Sequence, residues 1–181
     1  ILTFANDVDD TTILGGSGAD TIAFFGDDVD DLELDAGSEA DSLYFAADVD
    51  NTTLLGGAGN DTFSFDDGVS GVISGGDGND SLTFSAAASS GSLTYYFGES
   101  GSGDTDTLYF AAGISANSLS IAFAPGSTSD FSDIRIQGDA SGTFIVGEST
   151  SMGAAGTDLA YIQGVSADAI NNLGEIFPLS I

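Results

Sequence analysis

The chain has 181 residues, one domain's length, and carries 29 acidic side chains against a single basic residue, for a formal net charge of −28. Such a balance excludes nucleic acid and anionic membranes as partners, because both are bound through Lys and Arg, and it makes cations the natural counterpart. With no Cys and no His, disulfides, thiolate or imidazole chemistry and the usual zinc sites are excluded as well.

Chains this acidic are disordered when they lack apolar residues, but 41% of this one is hydrophobic and 13 residues are Phe. It therefore reads as folded, with its acids on turns and outer faces. No apolar run approaches the roughly 18 residues of a transmembrane helix, and no segment reads as a signal peptide. The chain opens on Leu2-Thr3-Phe4, a match to Leu82-Thr83-Phe84, so it is expected to start inside a repeat, as a piece of a longer repetitive protein.

The repeat is anchored on Asp20, Asp41, Asp61 and Asp80, spaced by 21, 20 and 19 residues. A period near twenty is the mark of a solenoid. The same register holds elsewhere without gaps. Asp7, Asp28, Asp48 and Asp67 lie 13 residues before these anchors, and Ile13, Leu34, Leu54 and Ile73 lie 7 before. Ile22, Leu43, Phe63 and Leu82 lie 2 after, and Phe24, Phe45, Phe65 and Phe84 lie 4 after. Length variation is thereby confined to the loop after each Phe, where a stacked architecture tolerates it.

Each coil is expected to have two strands and two turns. One turn is glycine-rich: Gly15-Gly16-Ser17-Gly18-Ala19-Asp20, Ala36-Gly37-Ser38-Glu39-Ala40-Asp41, Gly56-Gly57-Ala58-Gly59-Asn60-Asp61 and Gly75-Gly76-Asp77-Gly78-Asn79-Asp80. The second copy is worn, with Ala36 and Glu39 in glycine positions. Glycine admits positive φ and leaves the backbone carbonyls free to converge. An aspartate beside converging carbonyls is an all-oxygen ligand set, suited to a hard cation and to calcium in particular. The plain alternative is an Asx-type turn without metal; repetition in register favours ligation.

After each turn come alternating residues such as Thr62-Phe63-Ser64-Phe65, a strand with one buried face. The Phe column from Phe4 to Phe110 is expected to stack in the core. The opposite turn is acidic, Asp7-Val8-Asp9, Asp28-Val29-Asp30 and Asp48-Val49-Asp50. Asp7 and Asp9, Asp28 and Asp30, and Asp48 and Asp50 are candidates for a second ion ladder, with a solvated acidic edge as the equal alternative.

Toward the C-terminus the pattern loosens. A fifth glycine turn ends in Asp106 and leads into Thr107-Leu108-Tyr109-Phe110, and a worn sixth, Gly153-Ala154-Ala155-Gly156-Thr157-Asp158, ends in Asp158. Between them, residues 120–152 do not fit the repeat and read as an insertion or an added sheet. The expected organisation is a solenoid over residues 1–119 followed by a less regular β part over 120–181. Arg135 reads as a surface or inter-subunit ion pair.

The turn-plus-strand pattern resembles the calcium-binding nonapeptide GGxGxDxUx of the repeats-in-toxin (RTX) family. Residues 56–64 match it fully, as do 15–23 and 75–83. The resemblance implies an all-β, right-handed parallel β-roll or β-solenoid, here with about twenty residues per coil. It implies several calcium ions held between successive coils by Asp20, Asp41, Asp61 and Asp80 and by the turn glycines, among them Gly15, Gly16, Gly18, Gly56, Gly57, Gly59, Gly75, Gly76 and Gly78. Asp106 and Asp158 follow as weaker copies. Export and folding in external calcium are also implied. The chain departs from the family in carrying one glycine turn per coil instead of two.

Equivalent aspartates of adjacent coils stack about 4.8 Å apart, and two such charges repel by roughly 3 kcal/mol at an effective dielectric near 20. A divalent ion between them reverses the sign. An enzyme is not expected, because no Ser/His or Cys/His arrangement is possible, Lys is absent, and almost every acid occupies a repeat position. The function expected is a calcium-rigidified, self-associating block of an extracellular bacterial surface assembly such as an S-layer, sheath or filament. The alternative is an accessory calcium-dependent module of a secreted enzyme or large adhesin.

Overall fold

The computed structural model describes residues 1–85, 93–97, 104, 106–110, 119–123, 134–138, 141–148 and 157–166, the side chains within 1–85, 93–96, 104 and 106–109. Among these residues there is no helix, hence none long and apolar enough to cross a membrane. Parallel strands wind into a β-solenoid of about four turns with roughly twenty residues per turn. The period and the all-β class expected from the repeat are both present.

One sheet collects the strands that follow the glycine turns, flanked by one further strand at either end: β1 (Leu2–Phe4), β4 (Thr21–Phe24), β7 (Ser42–Phe45), β9 (Thr62–Phe65), β11 (Ser81–Phe84), β13 (Asp106–Phe110) and β15 (Ile134–Gly138), in that spatial order. Their register follows the alignment of the repeat: Phe4 lies beside Phe24, Phe24 beside Phe45, Phe45 beside Phe65, and Phe65 beside Phe84.

The second sheet is built from β2 (Val8–Asp9), β3 (Thr12–Leu14), β5 (Asp28–Asp30), β6 (Glu33–Ser38), β8 (Asp48–Ala58), β10 (Val69–Asp77), β12 (Leu93–Phe97), β14 (Leu119–Phe123), β16 (Ser141–Glu148) and β17 (Thr157–Ser166). Two turn assignments change here. Asp-Val-Asp is a short strand, because its valine has a buried column to fill: Val8, Val29, Val49 and Val69 lie in the core. In the second, third and fourth copies the first half of the glycine turn also remains in the sheet, with Gly57 paired to Gly37 on one side and to Gly76 on the other. The chain instead bends at a corner between these segments. Asp10, Asp31 and Asn51 all adopt positive φ there, at 46°, 49° and 51°, the left-handed conformation that Asp and Asn tolerate best after glycine.

The core is a set of parallel columns, each made of one repeat position. The rings of Phe4, Phe24, Phe45, Phe65 and Phe84 stack with centroids 4.8, 4.8, 5.1 and 5.5 Å apart and planes within 12°. Ile22, Leu43, Phe63, Leu82 and Leu108 form the neighbouring column, and Ile13, Leu34, Leu54, Ile73 and Tyr95 the column across from it. Stacked rings about one inter-strand spacing apart combine burial with offset aromatic contact.

Residues 120–152, which do not fit the repeat, contribute β14 and β16 to one sheet and β15 to the other, all parallel to their inner neighbours. The strand after them reverses: β17 pairs antiparallel with β16, where a further coil would pair parallel. The expected features at 101–103, 111–118, 153–156 and 171–181 lie outside the described residues.

Phe45 is fully buried between two rings. Phe45→Ala is therefore expected to cost about 3–5 kcal/mol in urea unfolding followed by circular dichroism, and Phe45→Leu less than half of that.

Candidate metal centre

The anchor aspartates stand at the junction where each glycine turn meets the first sheet. Four of them are inside the solenoid: Asp41, Asp61, Asp80 and Asp106 are 1–3% exposed, while Asp20, at the N-terminal end of the row, is half-buried. A buried carboxylate needs donors, and the stacking supplies one per rung. The backbone N–H of Asp20 donates to Asp41 Oδ1 (2.7 Å), that of Asp41 to Asp61 Oδ1 (2.7 Å), that of Asp61 to Asp80 Oδ1 (2.7 Å) and that of Asp80 to Asp106 Oδ1 (2.9 Å). The stacked carboxylates are thus interleaved with amide dipoles, which offset part of the repulsion between bare neighbours.

The second oxygen is a different matter. Asp41 Oδ2 and Asp61 Oδ2 are buried and have no hydrogen-bond partner. At the end of the row the same oxygen is satisfied, because Tyr95 Oη donates to Asp106 Oδ2 at 2.7 Å. Tyr95 occupies the column of Ile13, Leu34, Leu54 and Ile73, so one tyrosine in an aliphatic position closes the row. Sequence reasoning missed this pair. A hydroxyl recurring at the place of an aliphatic residue, in the coil just before Asp106, is the signal that could have found it.

The glycines of the turn are there for two distinct reasons. At the first position the carboxylate packs on the Cα: a Cβ on Gly56 would lie 2.5 Å from Asp61 Oδ2 and 2.4 Å from the Gly75 carbonyl oxygen. At the fourth position the backbone is left-handed, as at Gly18, Gly59 and Gly78. The worn copy keeps that conformation without glycine, with Glu39 at φ 72°. Its carboxylate is placed to accept from the Gly18 N–H (2.5 Å) and the Ser38 hydroxyl (3.1 Å), which offsets strain of the kind that non-glycine residues carry there.

Burial pushes the Asp61 carboxyl above the usual carboxylate range; the Asp41 amide pulls it down, and the Asp41 charge pushes it up again. Asp41 is raised by burial in the same way, against the hydrogen bond from the Asp20 amide and with further upward pushes from Asp20 and Glu39. A carboxylate held in the core with one oxygen unmatched has two ways to lower its energy, a proton or a bound cation. The residues fit a hard cation on that ground: free carboxylate oxygens recur in successive glycine turns, and oxygen is the only donor type at hand.

The second candidate ladder is also brought into register. Asp28 lies beside Asp48, and Asp30 beside Asp9 and Asp50. Burial and then the neighbouring acids, Asp28 first, push Asp30 upward; burial followed by Asp50 and Asp67 does the same to Asp48, whose Oδ1 is buried without a partner. The exposed corner gathers a trio that sequence reasoning did not single out, the carboxylates of Asp9, Asp10 and Asp31, with oxygens within 4.8 Å of one another. One coil further on, Asn51 takes the corner position and its side-chain amide donates to Asp31 Oδ1. Asp158 stands apart from all of these, opposite Gly147 in the antiparallel β16–β17 pair. Comparison with family models, with curated proteins and with solved structures returned no match for the chain.

The sign of the pH dependence follows from the raised values. With no cation bound, the contribution of Asp41 and Asp61 to stability is complete below the ordinary carboxylate value of 3.8 and is lost as pH rises through their raised folded values. In chelator the urea midpoint is expected to be higher at pH 4, next to the ordinary carboxylate value, than at pH 7. Asp41→Asn with Asp61→Asn keeps each Oδ1 acceptor and removes the charge, so it should flatten that difference. An unchanged pH dependence in the double variant would assign the effect to other acids.

Proposed function

We propose that the chain is a calcium-binding structural module, a β-solenoid stabilised by several calcium ions, within an extracellular bacterial surface assembly such as an S-layer, sheath or filament. The observation that carries this reading is the recurrence, one coil apart, of buried and unmatched carboxylate oxygens at Asp41 and Asp61. They sit in turns that resemble the RTX nonapeptide.

Asp20, Asp41, Asp61 and Asp80 would hold the ions together with carbonyls of the glycine turns, and Asp106, with both oxygens engaged, would end the row. A bound calcium supplies positive charge where the fold concentrates negative charge. Binding to the folded chain alone converts directly into folding free energy, about 2.7 kcal/mol for a site at a hundred times its Kd. The chain's own part is to bury the carboxylates, orient one oxygen of each through an amide, and keep apolar columns on the other side.

Self-association belongs to this reading because a stack of parallel coils offers unpaired backbone wherever it is left uncapped, and an open strand edge is a template for pairing with another chain.

Strand content and melting temperature are expected to rise from excess chelator to millimolar calcium, with ordered polymers appearing in electron micrographs in calcium only. Identical melting in both conditions would overturn the calcium reading. A monomer at every calcium concentration would overturn the assembly reading.

A further inference from the structure

The loops that follow the stacked Phe residues differ in length, and the first step in length leaves a cleft. Between Phe4 and Asp7 the chain has two residues, Ala5 and Asn6; between Phe24 and Asp28 it has three, Phe25, Gly26 and Asp27. The longer loop is tied down at both ends, by Phe25 N–H donating to the Phe4 carbonyl (2.8 Å) and Asp27 N–H donating to Asp7 Oδ1 (2.9 Å). Gly26 lies flat on the Asn6 backbone, where a Cβ would come within 2.4 Å of the Asn6 carbonyl carbon. The extra residue is accommodated by turning Phe25 outward. What results is an open cleft of about 200 Å3 lined by Ala5, Asn6, Asp7, Phe25, Gly26 and Asp27.

Phe25 is 54% exposed, an unusual position for an aromatic ring on a chain whose other described Phe side chains line the core or stack against it. Its ring lies 5.5 Å from that of Tyr44, tilted by 51°, and the Tyr44 hydroxyl donates to Asp66. Two aromatic rings are thereby set among three exposed carboxylates, Asp7, Asp27 and Asp66. The negative face of an aromatic ring attracts a cation, and the carboxylates add charge and hydrogen-bond acceptors. A planar guanidinium uses both, stacking on the ring while its N–H groups reach the carboxylates. A bare metal ion would use only the acids. The chain's single basic residue is Arg135, in β15, which is separated from β4 by four strands of the first sheet.

We propose that the cleft lined by Phe25, Asp7 and Asp27, with Tyr44 and its partner Asp66 beside Phe25, binds an arginine side chain of a basic partner polypeptide. The occupant is set by charge complementarity: a surface at −28 attracts basic chains generally, and the exposed Phe25 ring, backed by the half-buried Tyr44, selects the guanidinium among their side chains. This interaction is independent of the buried aspartate row.

The test uses the full chain in calcium-containing buffer at fixed ionic strength, titrated by calorimetry with an acetylated, amidated peptide of alternating Gly and Arg and with its Lys counterpart. The Arg peptide should bind more tightly than the Lys peptide. Phe25→Leu with Tyr44→Leu, which keeps apolar area but removes the aromatic faces, should weaken the Arg peptide about three- to tenfold. Asp7→Asn with Asp27→Asn should weaken it comparably, whereas Asp77→Asn, one exposed charge removed at the glycine-turn side, should change it less than twofold. Circular dichroism of each variant checks that the fold is retained. Equal binding by wild type and the Leu double variant, or equal loss from Asp77→Asn and the Asp7/Asp27 pair, would overturn the proposal in favour of diffuse electrostatic attraction.

Discussion

In a parallel, in-register solenoid each residue meets its own equivalent in the next coil at the inter-strand distance, and nearly every feature of this chain follows from that constraint. Where the repeated residue is apolar, stacking is favourable at every step, and Phe24 over Phe45 over Phe65 shows it. Where it is an acid, like charge meets like charge. The chain keeps a buried acid at this disadvantage in rung after rung. What makes this tolerable is geometric: the backbone N–H of one aspartate points at the carboxylate of the next, so that a donor separates each pair of acceptors. One oxygen per carboxylate is accounted for in this way, and the fate of the other decides how the module behaves.

The two rows of acids solve the same problem differently. In the glycine-turn row the carboxylates go inside, and at Gly56 and Gly75 the carboxylate lies where a Cβ would be. In the Asp-Val-Asp strands the valine goes inside and the acids flank it. There the neighbours in register are partly exposed, and solvent screens what the amides screen in the other row. Solvent thus reaches most of the acids on one side of the coil, with the buried Asp48 Oδ1 as an exception, and backbone amides serve the acids on the other.

Much of this was readable from spacing alone. A hydrophobic position that recurs with an aspartate at intervals of 21, 20 and 19 can be satisfied only if coils stack, so the core columns, the sheet register and the loop in which lengths vary were all implicit in the alignment. Strand limits were less readable. Asp-Val-Asp looks like a turn because acids dominate it, yet its one valine decides the matter by being buried. Glycine pairs look like a break, yet Gly57 continues the ladder on both sides. The corner at Asp10, Asp31 and Asn51 was invisible as a turn because no glycine marks it, although Asx residues recur there. For the aspartates, position was readable and orientation was not: which carboxylate oxygen meets an amide depends on a neighbour twenty residues away.

The hydrogen bonds along the aspartate row all run in one direction, from an amide to the carboxylate of the coil that follows it in the chain. The two ends of the solenoid are for that reason unequal. Trimming the first coil takes away apolar cover but no carboxylate that any described amide of this row relies on. Trimming the strand that begins with Asp106 removes the carboxylate that accepts from the Asp80 amide and from the Tyr95 hydroxyl, and the fault then sits in the core. The stack has a polarity in its tolerance of loss: shortened from the front it gives up surface, but shortened from the back it gives up an acceptor that buried donors use.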